Sequence, residues 1–74
     1  MKLYYVTTWT GEWSHRRLMF TELSAAKHYA QEEMKNNDVR DVWLTVYDTT
    51  RTGSWGAVEM EYNGPIENWD ELNN

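Results

Sequence analysis

Seventy-four residues without a cysteine make one small domain that has neither a disulfide nor a thiolate metal site to hold it together. No stretch approaches the roughly 18 consecutive apolar residues that span a membrane. A net charge of −5 disfavours nucleic acid as the main ligand, because phosphate binding needs a basic footprint.

The charge is unevenly spread. Residues 1–40 carry six basic and five acidic side chains, whereas residues 41–74 carry one basic residue, Arg51, against seven acidic ones. Such a balance suits a partner with a basic surface, and equally a solvated acidic coat that aids solubility. Five tryptophans, five tyrosines and one phenylalanine provide the mass from which so short a chain builds a core. The first residues, MKLYYVTTWT, are too polar for the apolar stretch of a secretory signal, so a cytoplasmic location is expected.

In chain order, KLYYVTTW at residues 2–9 is rich in β-formers and lacks a helical stripe, which predicts a strand. The step Thr10-Gly11-Glu12-Trp13 follows, and then SHRRLMF as a second strand or extended return. FTELSAAKHYAQEEMKNN predicts the helix, with Thr21 as its N-cap and Glu22 where the helix dipole favours an anion. Leu23, Ala26, Ala30 and Met34 recur at helical spacing, with Tyr29 at the stripe's edge, while Lys27, His28, Gln31, Glu32 and Lys35 face outward. Asn36-Asn37-Asp38 ends the helix with residues that tolerate the left-handed conformation.

VRDVWLTVYD is the strongest strand, with Val42, Leu44 and Val46 on one face and Trp43, Thr45 and Tyr47 on the other. A second step, Thr52-Gly53-Ser54-Trp55, nearly repeats the first. Both steps are expected to reverse the chain between strands, glycine supplying a positive φ and tryptophan opening the returning strand. In the last strand, WGAVEMEY, Val58, Met60 and Tyr62 alternate with Glu59 and Glu61. Asn63-Gly64-Pro65 is expected to break the sheet. Residues 63–74 then form an acidic C-terminal tail or short helix, in which Ile66, Trp69 and Leu72 are three apart. The predicted fold class is α+β: a three- to four-stranded antiparallel sheet in β(β)αββ order, with one helix packed on one face and a short tail.

Catalytic and metal signatures are missing from this pattern. There is no cysteine nucleophile, His15 and His28 fall in different elements, and His28 with Glu32 reads as a surface pair. Two ligands do not make a metal site, and neither TG step has the lysine and spacing of a phosphate loop. The chain is therefore read as a non-enzyme without a cofactor.

The face away from the helix is the more informative feature. If Val42, Leu44, Val46, Val58 and Met60 lie under the helix, the opposite face shows Trp43, Thr45, Tyr47, Glu59 and Glu61. The first strand then adds either Tyr5, Thr7 and Trp9 or Tyr4, Val6 and Thr8. Uncovered rings bordered by carboxylates suit an interaction surface, unless SHRRLMF or the tail, with Ile66 and Trp69, folds over them. The expected partner-binding residues are Trp43, Tyr47, Trp9, Tyr5, Glu59, Glu61, Glu67, Trp69, Asp70 and Glu71. Acidic residues at i and i+2 along a strand, about 6.8 Å apart, can also imitate phosphates in a basic groove. Stacking of single-stranded bases on the rings, with His15-Arg16-Arg17 giving positive charge, is an alternative. A homodimer or larger assembly through the same face is another.

At FTELSAAKHYAQEE, followed by VWLTVYD and the tryptophan-containing hairpin, the chain resembles small phage-encoded inhibitors of host defence, among them anti-CRISPR proteins of βαββ plan. The likeness spans roughly residues 20–62, through a helix opening of the form Leu-Ser-x-Ala-Lys. It implies a non-enzymatic inhibitor that acts in the host cytoplasm by binding and blocking a basic, nucleic-acid-handling host protein.

Overall fold

The computed structural model describes residues 1–65. Four strands and one helix follow the order β1 (Lys2–Trp9), β2 (His15–Phe20), α1 (Leu23–Met34), β3 (Asp41–Thr52) and β4 (Val58–Pro65). They form an antiparallel sheet in the spatial order β2-β1-β3-β4, so the fold is the α+β arrangement that the alternating strand pattern and single amphipathic helix predict. The chain leaves β2 at one edge, crosses over the sheet as α1, and returns as β3 beyond β1. No helix is long and apolar enough to cross a membrane among the described residues.

Register assigns the faces. Tyr4 pairs with Val46, Val6 with Leu44 and Thr8 with Val42, and because side chains alternate along a strand these residues share one side. That side meets the helix. Val6, Val42, Leu44 and Val46 are buried with Ala26 and Ala30, and Tyr4, Phe20, Leu23, Tyr29, Val39 and Tyr62 pack around them. Using alanine at the two central helix positions brings the helix backbone close to the sheet, so a chain of modest size still excludes water from its centre. Leu23 and Tyr29 take the places the helical stripe assigns them, but Met34 is exposed at the helix end.

Local rules meet local competition at the helix ends. Glu22, not Thr21, occupies the N-cap in extended conformation, and no side chain caps the helix. The first helical bond runs from the Ala26 N–H to the Glu22 carbonyl. At the other end Lys35 is the C-cap, in right-handed conformation. The turn that follows is closed by the Asp38 N–H donating to Asn36 Oδ1 at 2.9 Å, so asparagine acts here through its side chain and not through a left-handed backbone.

Three sequence expectations fail in β4, each for an identifiable reason. Val58 and Met60 do not lie under the helix: they are 44% and 48% exposed. Val46 pairs with Tyr62 and Tyr47 with Met60, so Glu61 is an extra residue in a β-bulge. One inserted residue reverses the facing of everything before it, which puts Met60 on the side of Tyr47. Nor do residues 63–65 break the sheet. Asn63, Gly64 and Pro65 pair with Thr45, Leu44 and Trp43, and proline is tolerated because β4 is an edge strand whose outer side needs no donor. The first part of the expected tail, Asn63–Pro65, is thus strand.

Both TG loops are also built differently from expectation. Each is closed by an N–H donating to the carbonyl four residues on: Thr10 to Ser14 at 3.0 Å and Gly53 to Ala57 at 2.7 Å. The frames differ by one residue, so tryptophan is fourth in the first loop and third in the second. Neither Gly11 nor Gly53 has a positive φ. Positive values fall at Trp55, 68°, and Gly56, 72°. Trp13 and Trp55 are 90% and 103% exposed and precede β2 and β4 without joining them. The loops sit at opposite ends of the sheet, because β1 and β3 run antiparallel.

Candidate functional site

The helix lies over β1, β2 and β3 on one side only, and β2 does not fold across the other. It extends the sheet at its edge: His15, Arg17 and Met19 pair with Trp9, Thr7 and Tyr5, whose alternation places all six on the side that is bare among the described residues. The same register sends Arg16 to the helix side, where its guanidinium meets Glu33 at 2.7 Å. Of the two parities open to the first strand, Tyr5, Thr7 and Trp9 are the set opposite the helix, together with Trp43, Thr45 and Tyr47 from β3.

Side-chain size gives this face its shape. Thr7 and Thr45 are small and buried, and larger groups stand around them. Tyr5 and Tyr47 meet edge to face at 5.5 Å, the favoured geometry for two rings with negative faces and positive edges. The Arg17 guanidinium sits 4.4 Å from the Tyr5 ring centre, a cation–π contact. Trp9 packs against His15 with centroids 4.7 Å apart. Above the two threonines an open groove of about 580 Å³ runs between Trp9 and Trp43, bordered by His15, Arg17, Arg40, Asp41 and Asn63.

Hydrogen bonds fix one wall. Asn63 Oδ1 accepts from the Trp43 indole N–H and from the Thr45 hydroxyl, the latter at 3.0 Å. With the amide oxygen engaged twice, the orientation of the amide is set, and among the described residues both donors of the amide nitrogen remain for the groove. Arg40 is held at the rim through its backbone, its N–H donating to the Trp9 carbonyl at 2.8 Å. Asp41 Oδ1 accepts the Val42 N–H at 2.9 Å. Among the described residues neither Arg17 nor Arg40 has an ion-pair partner.

The acidic residues expected on this face are elsewhere. Glu61 reaches Lys2 at 3.0 Å and Glu59 reaches Arg51 at 3.5 Å. Lys2 shares the parity of Tyr4 and Val6, which is the helix side. The bulge at Glu61 and the pairing of Glu59 with Asp48 account for the displacement. The Glu61 carboxylate, by hydrogen bond and by charge, raises the Lys2 pKa above its usual value. Asp48 is held below the usual carboxylate range by the Thr50 hydroxyl and backbone N–H. Glu67, Trp69, Asp70 and Glu71 lie outside the described residues.

The structure therefore gathers Trp43, Trp9, Tyr5 and Tyr47 on one face and separates Glu59 and Glu61 from them. Arg40 and Asn63 were not among the expected site residues, and His15 and Arg17 were named only as the positive charge of the nucleic-acid alternative. The alternation of β2 carried the signal for His15 and Arg17, once SHRRLMF is taken as a strand paired with β1. Asn63 was hidden in a triplet that reads as a sheet breaker, and nothing local marks Arg40. Among the described residues no three histidine, aspartate or glutamate side chains gather in a metal-ligating group. No family model, no curated protein and no solved structure matches this chain.

Proposed function

We propose that this protein is a non-enzymatic binding module that works through the bare face of its sheet, and that the group it receives there is anionic. The observation that carries this reading is the groove between Trp9 and Trp43, bordered by two arginines that have no carboxylate partner among the described residues. Half-buried tryptophan and tyrosine on a rigid sheet supply contact area at little conformational cost, and arginine supplies directed donors for an anion.

Among the described residues, the acidic groups behind the net charge of −5 lie mostly away from the groove. Glu22, Glu32 and Glu33 belong to the helix side, and Glu59 and Glu61 are paired with cations. Of the groove's own charged residues, only Asp41 is acidic. Blockade of a basic host protein, the role implied by the resemblance to phage inhibitors, relied on Glu59 and Glu61 bordering the rings together with an acidic tail; the two glutamates are engaged elsewhere, and the tail lies outside the described residues.

The test is capture from a bacterial lysate on the immobilised chain, comparing wild type with Trp43→Ala, Arg40→Glu and Trp55→Ala. Material that uses this face is lost with the first two and retained with the third. Retention on both groove variants, with their folds intact by circular dichroism, rules the face out.

A further inference from the structure

Resting on that reading, we infer that the groove takes single-stranded nucleic acid, with a base stacked against the Trp9 and Trp43 indoles and the flanking phosphates on Arg17 and Arg40. Three features converge. First, Trp9 pairs with Asp41, and Trp43 lies two residues further along β3 on the same face. Such diagonal neighbours stand roughly 7–8 Å apart, which is close to the thickness of a base held between two rings. Second, the arginines border the groove from different elements, Arg17 from β2 and Arg40 from the approach to β3. Charge is thus offered on either flank of the rings, as a backbone passing across the sheet requires. Third, the Asn63 amide is oriented by its two accepted bonds so that its N–H donors remain available, and base carbonyls and ring nitrogens are acceptors.

An acidic polypeptide would satisfy the arginines but leave the paired indoles without a planar group to stack on. A duplex hides the base faces that the indoles would meet, and a face this small and open cannot enclose one. Single strands present both faces and charge together, and stacking on aromatic platforms tolerates any base.

The experiment uses the full chain carrying Trp13→Phe, Trp55→Phe and Trp69→Phe, which leaves Trp9 and Trp43 as the emitting indoles. Oligothymidylate, a mixed-sequence single strand, the matching duplex and poly-glutamate are titrated at several salt concentrations. Saturable quenching by both single strands is expected, with much weaker binding of the duplex. With two phosphate contacts, the plot of log affinity against log salt should have a slope of about −1.4, at ~0.7 per contact. Arg40→Gln, an exposed change that leaves the core untouched, should halve that slope, and Trp43→Ala should weaken binding about tenfold or more.

Equal binding of duplex and single strand, or an unchanged slope in Arg40→Gln, overturns the inference. Saturable binding of poly-glutamate in place of the oligonucleotides overturns it too, while leaving the bare face as the binding surface. If Trp43→Ala alters neither oligonucleotide binding nor lysate capture, both this inference and the broader reading fall.

Discussion

The Tyr62 ring occupies the space that a side chain at Gly64 would need. A Cβ at position 64 would stand 2.6 Å from the phenol oxygen and 2.9 Å from the ring carbon that bears it, both well inside contact distance. The hydroxyl goes on to donate to the Pro65 carbonyl at 2.9 Å. The ring thus roofs a buried glycine at the edge of the core and ties down the end of β4 beside Trp43. Gly64→Ala must swing the ring away and lose that bond, at an expected cost of about 1–3 kcal/mol. Tyr62→Phe, which keeps the ring and loses only the hydroxyl, should cost about 1 kcal/mol. Urea denaturation of the two variants checks the order, and equal stabilities would contradict the packing described.

Trp55 is a bulky residue at φ 68° whose side chain is fully in solvent. Left-handed backbone costs such a residue roughly 1–2 kcal/mol, and asparagine far less. Trp55→Asn should therefore raise Tm by several degrees, about 4–8 °C for each kcal/mol recovered in a domain of this size. Trp13, equally exposed without the positive φ, is the control, and Trp13→Asn should leave Tm nearly unchanged. A fall in Tm for Trp55→Asn would show that the indole makes stabilising contacts.

Thr8 is fully buried between β2 and β3, and its hydroxyl has no hydrogen-bond partner among the described residues. Thr8→Val replaces the unsatisfied oxygen by a methyl group of similar size and should stabilise the fold by up to about 1 kcal/mol. The Tyr29 phenol lies near enough for the Thr8 hydroxyl to favour its ionised form as a hydrogen-bond donor, although the two do not meet as a full hydrogen bond. A loss of stability on making the change would mean that the Tyr29 hydroxyl serves Thr8 in solution.

Alkaline pH should weaken the fold through two groups. Burial, and then the neighbouring Glu33 carboxylate, raise the Tyr29 pKa above its usual value of 10.0. The folded state therefore favours the neutral phenol, and its contribution is intact below pH 10.0 and lost as pH climbs through the raised value. Lys2, raised by Glu61, loses its ion pair over the same direction of change. Thermal melts from pH 8 to pH 12 should show Tm falling above about pH 10, with a shallower fall in Tyr29→Phe and a residual slope due to Lys2. Parallel curves for the two proteins would refute the assignment to Tyr29.

Much of this architecture can be read directly from residue patterns. The alternation of Val42, Leu44 and Val46 with Trp43, Thr45 and Tyr47 fixes both faces of β3, and one helix of Leu23, Ala26 and Ala30 can cover only one of them. From those two facts the exposed aromatic face follows. What stays hidden depends on single residues whose effect is set by a neighbouring strand. Glu61 looks like any other member of the alternation Val58 to Tyr62, and only its lack of an opposite residue on β3 makes it a bulge. Gly64 and Pro65 carry the local signature of a chain break, but the Tyr62 ring and an edge position keep them in the sheet. The two TG steps share letters while their closing hydrogen bonds fall in different frames. Arg40 reaches the groove through a backbone bond to Trp9, a long-range contact with no trace in local composition.

The surplus residue in β4 lets this small sheet absorb a change in length. Upstream of Glu61 the strand shows one set of side chains to each side of the sheet, and downstream it shows the other, so a single strand contributes to both surfaces under opposite rules. A one-codon deletion of Glu61 would regularise the ladder and leave Tyr62 opposite Val46, Met60 opposite Tyr47 and Glu59 opposite Asp48. Both surfaces would keep their side chains, and the loss would be the carboxylate that holds Lys2. Chains related to this one by such an indel would keep both the fold and the aromatic face.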